Sequence, residues 1–258
     1  MHKVRKRLTR AAIAGALAVV VTAPIGAQPA QAAIPPLAAT KLVVDVGIRL
    51  VKLWSSYSSG SLSLADATEQ IVAAVDTAKN EIISHTEAIA TAQVRACATR
   101  HVIELADIDH FNPDVLQTWA QDATACVTLA DSLLATLTTK PAIDMAGVAL
   151  GIVGPVALIA RQRAGFSTAG LSTVLAHAHQ IVVTKLVPTC RTSSSQEPGF
   201  PIVTVNYRCT QYNGDTASGM ETYVNGELIG SRVSVTKLRL TAGARSAYTG
   251  SVRALSAL

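Results

Sequence analysis

Charge and aromatic rings are both scarce in this chain. Of its 258 residues, 4% are aromatic and 15% are charged, while 49% are hydrophobic. Soluble domains usually carry about 25% charged residues. So little charge excludes an intrinsically disordered chain, which stays open through high charge and low hydrophobicity. It equally excludes a coiled coil along the whole length. Motifs that carry chemistry are missing too. There is no Cys-x-x-Cys pair, so the usual redox and zinc spacings are absent. No His-Glu-x-x-His, no Gly-x-Ser-x-Gly elbow, no phosphate loop and no dinucleotide fingerprint occurs. No catalytic residue, metal or cofactor is therefore expected. A Ser/His/Asp site assembled from scattered residues leaves no such trace, so a secreted hydrolase remains as one alternative.

The beginning of the chain is informative. Residues 1–10 hold Lys3, Arg5, Lys6, Arg7 and Arg10 without an acid, and residues 11–21 are an unbroken apolar run. Pro24 and Gly26 end that run, and Ala30-Gln31-Ala32 offers the small-x-small pattern of a signal peptidase site. The pattern predicts a secretory signal peptide over 1–32. Its apolar run is far shorter than the roughly 20 residues of a spanning helix. The protein is expected outside the cell or attached to the cell envelope. The five basic residues leave with the signal. Residues 33–258 then hold 17 basic and 17 acidic residues, a formal charge of zero. A nucleic-acid partner needs a clustered positive footprint, and none is expected here.

Cys97, Cys126, Cys190 and Cys209 form an even set, which in a secreted chain predicts disulfides. A helical hairpin selects the pairing. Residues 64–107 read as one long helix, with Ile71, Val75, Ala78, Ile82, Ile89, Ala96 and Ile103 along one face. Ser63 is placed to cap it. Asn112-Pro113-Asp114 then starts a second helix, with Asn as cap and Pro at the first position. Cys97 and Cys126 lie nearly equally far from that turn, roughly 21–22 Å at 1.5 Å per residue. Antiparallel packing would bring their sulfurs together, leaving Cys190 for Cys209.

The expected fold class is α+β. An antiparallel bundle of about five helices over 33–190 is followed by a linker over 191–200 and a small antiparallel, β-sandwich-like module over 201–258. The bundle includes a first helix near 39–54, with Lys41, Asp45, Arg49 and Lys52 on one polar stripe, and a last helix near 167–187. In the β module, Val203, Val205, Tyr207 and Cys209 alternate with polar residues. Asn225-Gly226 marks a two-residue hairpin. Leu238 and Leu240 fall out of phase with Val233 and Val235, which predicts a bulge near Thr236-Lys237. Residues 247–254 read as a last strand.

The most apolar stretch after the signal is 145–160, with sixteen uncharged residues, three glycines and Pro155. It reads as a core helix. A second reading makes Met145, Val148, Leu150, Ile152, Val153, Val156, Leu158 and Ile159 membrane-contacting. Long helices around an apolar, Gly-rich insert resemble the plan of helical pore-forming toxins, a likeness of architecture that carries no residue match. Other clusters read as structural. His177 and His179 are two apart on a helix and face different sides. His101 and Glu104 share a face without completing a zinc motif. Asp107, Asp109, Asn112 and Asp114 crowd one loop but lack the Gly and Glu of a calcium loop. His85 falls on the apolar stripe. The last region holds Arg208, Arg232, Lys237, Arg239, Arg245 and Arg253 against three acids, which suits a mildly basic recognition surface.

These observations predict a non-enzymatic binding protein of the extracellular space or envelope, with a helical scaffold and a β recognition module. An extracellular protein or an envelope polymer would be its partner. The alternatives are a membrane-active protein inserting 145–160 and the motifless hydrolase.

Overall fold

The computed structural model describes residues 41–87 and 92–258. The expected signal peptide, Ile89 and the side chain of His85 lie outside the described residues. Those residues form nine α-helices and one four-stranded sheet. The mixed architecture agrees with expectation at that level; the helix count and several boundaries do not.

Helix α1 (Lys41–Ser58) buries Val43, Val44, Leu50, Val51 and Trp54 and leaves its stripe of Lys41, Asp45, Arg49 and Lys52 exposed. Within the expected long helix the described residues form α2 (Leu64–Thr77), α3 (Lys79–Glu87) and α4 (Ala92–Glu104), with an interruption after α2 and a 3-10 turn over Leu105–His110 at the end. Ser63 caps α2 by accepting from the Asp66 amide at 3.1 Å. The break between α2 and α3 is a single residue, Ala78, whose amide bonds back to the Val75 carbonyl at 3.1 Å. The apolar face passes through it unbroken from Ile71 and Val75 to Ala78 and Ile82, which is why periodicity missed it. In α4 the face has rotated. Val94, Ala98, Val102 and Leu105 are buried, while the expected Ala96 and Ile103 are exposed.

Helix α5 (Pro113–Thr136) starts as expected, with Asn112 accepting from the Val115 amide at 2.9 Å. Its antiparallel docking on α4 carries Cys97–Cys126, with Cα atoms 5.8 Å apart, and an Arg100–Asp122 ion pair at 2.8 Å one turn away.

Helix α6 (Lys140–Arg163) is the centre of the bundle, packed against α1, α5, α7 (Ala169–Leu186) and α9 (Ala247–Leu255). A helix apolar on all sides belongs in a core. Val148, Leu150, Ile152, Val153, Val156, Leu158 and Ile159 are all buried, and Met145 is half-buried. Its small residues permit the close approach. A Cβ on Gly147 would sit 2.8 Å from Ala247 Cβ, and one on Gly154 would sit 2.7 Å from Leu175 Cδ2.

The sheet is an antiparallel meander, β1 (Thr189–Gln196), β2 (Ile202–Thr210), β3 (Thr216–Val224) and β4 (Glu227–Ile229), in that order. Most of the expected linker over 191–200 is therefore strand β1. Its polar serines carried no apolar alternation to announce it. Cys190 and Cys209 are direct cross-strand partners joined by the second disulfide, with Cα atoms 4.0 Å apart. Asn225 and Gly226 form the expected hairpin turn, with φ of 52° and 85°.

No second sheet faces this one among the described residues. The expected bulge and last strand are both helices. In α8 (Val235–Ala242), Ser234 caps by accepting from the Lys237 amide at 3.2 Å. The phase slip at Leu238 reflects a period of 3.6. In α9, Ser246 caps and Ala247, Tyr248, Ser251 and Ala254 are buried at helical spacing. Helix α8 covers one face of the sheet through Val235, Leu238 and Ala242, against Cys190, Cys209 and Ala217. Glu221 ties down the approach to α8, accepting from the Val233 amide (2.7 Å), Tyr223 Oη (2.8 Å) and Tyr207 Oη (2.9 Å). These donors hold its carboxyl below the usual carboxylate range.

One buried carboxylate fastens sheet and C-terminal helix to the bundle. Asp144 of α6 accepts from the Ala247 amide at 2.5 Å and from Tyr212 Oη at 2.7 Å. Beside it, Gln211 Nε2 donates to Ser246 Oγ at 2.8 Å, and Arg245 pairs with Asp215.

Candidate anion-binding face

Side chains alternate across a strand, so the register of β1 and β2 sorts them into two faces. Cys190 and Cys209 point toward α8. Their neighbours Thr189, Arg191, Arg208 and Thr210 point the other way, and all four are exposed. Arg191 and Arg208 are direct cross-strand partners. Like charges placed so are repulsive by a few tenths to about 1 kcal/mol. The ladder and the adjacent Cys190–Cys209 bridge hold them together regardless.

A third cation completes the site. Lys140 opens α6, and it lines the same groove as Thr189, Arg191, Arg208, Thr210, Gln211 and Tyr212, with a volume of about 540 Å³. The start of α6 adds positive potential. Thr139 makes no side-chain cap there, and the first turn holds no acid. Among the described residues, no ion pair or side-chain hydrogen bond engages Lys140, Arg191 or Arg208. The nearby carboxylates are committed: Asp215 to Arg245 and Asp144 to α9 and Tyr212. Beyond the groove, the same face continues with Ser193, Ser195, Thr204, Asn206, Thr216 and Ser218. It ends in Met220 and Ile229, 61% and 57% exposed. The face offers cations at one end, hydroxyls in the middle, and Met220 and Ile229 with the exposed Glu227 at the other.

The other expected clusters are dispersed. Arg232, Lys237, Arg239, Arg245 and Arg253 do not line this groove; of the six basic residues named from the sequence, only Arg208 does. His177 faces Asp131 at 2.7 Å on the surface, while His179 is buried. In the acidic loop, Asn112 is a helix cap, Asp109 pairs with Arg163 at 2.6 Å and Asp114 sits in the first turn of α5. Glu104 pairs with Arg100 at 2.9 Å.

The sequence reading missed a Ser–His pair. His179 Nδ1 lies 3.0 Å from Ser251 Oγ in the core, and burial lowers the imidazole to about 4. The two line a cavity of only about 20 Å³ between α1, α6 and α9, room for one water rather than a substrate. It also missed that His101, one turn after Cys97, is 2% exposed and lies beside the Cys97–Cys126 bridge. Burial, then the charge of Arg100, lowers this imidazole below its ordinary value. The Cys-x-x-x-His spacing on one helix was the available signal.

Comparisons with protein-family models, curated proteins and solved structures returned no match to this chain.

Proposed function

We propose that this is a secreted, non-enzymatic binding protein whose open β face and adjoining basic groove hold an anionic polymer of the extracellular space or cell envelope. One observation carries the reading. Three cations, Lys140, Arg191 and Arg208, converge on one groove without a protein counter-charge among the described residues. Bringing like charges together costs free energy that a bound anion returns. The hydroxyl-rich strip beyond the groove gives an extended ligand donors and acceptors along its length. The signal-like first 32 residues support an extracellular setting.

The test is fluorescence anisotropy with labelled polyphosphate and a labelled uronate polymer, each titrated at two salt concentrations. Binding is expected to weaken with salt. Arg191→Ser with Arg208→Ser should lower affinity by about 10-fold, as two exposed ion pairs worth up to about 1 kcal/mol each would give. Equal binding by parent and variant, or no binding of either polymer, refutes the proposal.

The second reading is membrane insertion by α6. Among the described residues, α6 alone is long and apolar enough to span a bilayer. Insertion would require α6 to leave α1, α5, α7 and α9. Dye release from liposomes by the folded, oxidised protein is the result that would favour it.

A further inference from the structure

We propose that Cys97, Cys126 and His101 form a redox-gated site for a soft or borderline d10 cation, represented by Zn²⁺. The site is shut while the two sulfurs are bonded to each other and opens when a thiol reductant cleaves that bond. The proposal is independent of the anion-binding face.

The geometry brings the three groups together from two helices. Cys97 and His101 are one turn apart on α4 and so share a face, and α5 delivers Cys126 against them. Both sulfurs and a ring nitrogen of His101 lie within 4.8 Å of one another. Tetrahedral zinc, with Zn–S near 2.3 Å and Zn–N near 2.0–2.1 Å, sets ligand atoms about 3.6–3.8 Å apart. Closing that gap takes side-chain adjustments of about an ångström, once the sulfurs have separated.

The imidazole is prepared for the role. Its Nδ1 is buried and has no hydrogen-bond partner among the described residues. A neutral imidazole that keeps its proton on Nε2 carries its lone pair on Nδ1. Metal ligation through one ring nitrogen uses such a lone pair, with the proton kept on the other nitrogen. Without a ligand, an unpartnered buried nitrogen costs free energy. Trp119 packs edge-on against the ring at 5.4 Å and fixes its orientation.

The chemistry balances with one named co-reactant. A reductant thiolate attacks Cys97 Sγ, the half-buried sulfur, and the S–S electron pair leaves on Cys126. A second reductant thiol resolves the mixed disulfide, so two electrons pass from the thiols to the protein sulfurs. Zn²⁺ then displaces the two thiol protons and binds two thiolates and Nδ1. A fourth position stays open for water. In an oxidising compartment the gate stays shut.

The test uses the full secreted chain, reduced under argon and mixed with Zn²⁺ or no metal, then alkylated with iodoacetamide and mapped by mass. Zn²⁺ is expected to protect Cys97 and Cys126 by at least about 10-fold while leaving Cys190 and Cys209 as reactive as without metal. His101→Gln should remove most of that protection, whereas the oxidised protein should take up no Zn²⁺ at this site. Equal protection of all four cysteines, unchanged protection in His101→Gln, or no protection overturns the proposal. If reduction unfolds the helices, Zn²⁺ should restore the helical circular dichroism of the parent but not of His101→Gln. A reduced chain that stays unfolded with Zn²⁺ overturns it as well.

Discussion

Two buried groups pull the pH dependence of stability in opposite directions, and removing either should expose the other. Asp144 is raised from 3.8 to about 6, first by burial, against the opposing pull of its bonds from Ala247 and Tyr212. His179 is lowered from 6.5 to about 4 by burial. Between pH 4 and 6 the folded chain holds more protons at Asp144 than the unfolded chain does. Its contribution is therefore present below pH 4 and lost as pH rises through 6. His179 behaves in reverse: the unfolded chain binds the proton, so its contribution is present above pH 6.5 and lost as pH falls through 4. A tenfold difference in proton affinity between folded and unfolded chain corresponds to about 1.4 kcal/mol, so each group amounts to about 2–3 kcal/mol between pH 4 and 7. In the parent they nearly cancel. Asp144→Asn keeps an acceptor for the Ala247 amide and removes the ionisation. Its stability in urea should rise by about 2–3 kcal/mol more than the parent's between pH 4 and 7. His179→Gln should fall over the same range relative to the parent. Glu221 and Asp215, both held below the usual carboxylate range, act in all three proteins and drop out of the differences. Parallel curves for parent and Asp144→Asn, or a difference of opposite sign, would refute the assignment.

The glycines of α6 should separate by packing. Gly151→Ala, whose Cβ meets nothing within 4 Å, should stabilise by about 0.5–1 kcal/mol through helix propensity, while Gly147→Ala should destabilise by about 1–3 kcal/mol; thermal unfolding reads both. Replacing Cys190 and Cys209 together by Ala should cost about 3 kcal/mol, as expected for closing a loop of that length, measured by urea unfolding. Gly226→Ala should cost about 1 kcal/mol, since its φ of 85° suits glycine alone, while a substitution at the open-space, negative-φ Gly170 should be far milder. Leu150→Asp should leave the chain unfolded or nearly so, because it buries an unpaired carboxylate where Leu150 is 1% exposed; a folded, soluble variant would contradict the core placement of α6.

Local signals were legible wherever one short segment decides the outcome. Ser63, Asn112 and Asn225-Gly226 act within three residues of themselves, and each does what its side chain or backbone freedom predicts. The pairing of Cys97 with Cys126 was legible for a related reason: helix rise is constant, so equal distances from a turn put two residues at one level. That survived the break at Ala78 because Cys97 lies beyond it, on the helix nearest the turn. Helices α8 and α9 were misread because a run of eight or nine residues with mixed apolar and polar side chains fits either period. Their Ser caps, at Ser234 and Ser246, were the overlooked discriminators.

Sequence by itself determined the apolar centre, the turn chemistry, the alternation of β2 and the disulfide pairing, all consequences of residue type and spacing along the chain. Tertiary structure alone decided the candidate sites. Lys140, Arg191 and Arg208 come from three segments and become one charged groove only when α9 and Tyr212 dock on Asp144 and the β1–β2 register sets the arginines side by side. Likewise, His101 is an ordinary helical histidine until α5 folds back and closes Cys126 over it. Spacing along a strand or helix is local geometry that the chain carries with it, whereas convergence of distant side chains depends on how separate elements bury their faces against one another.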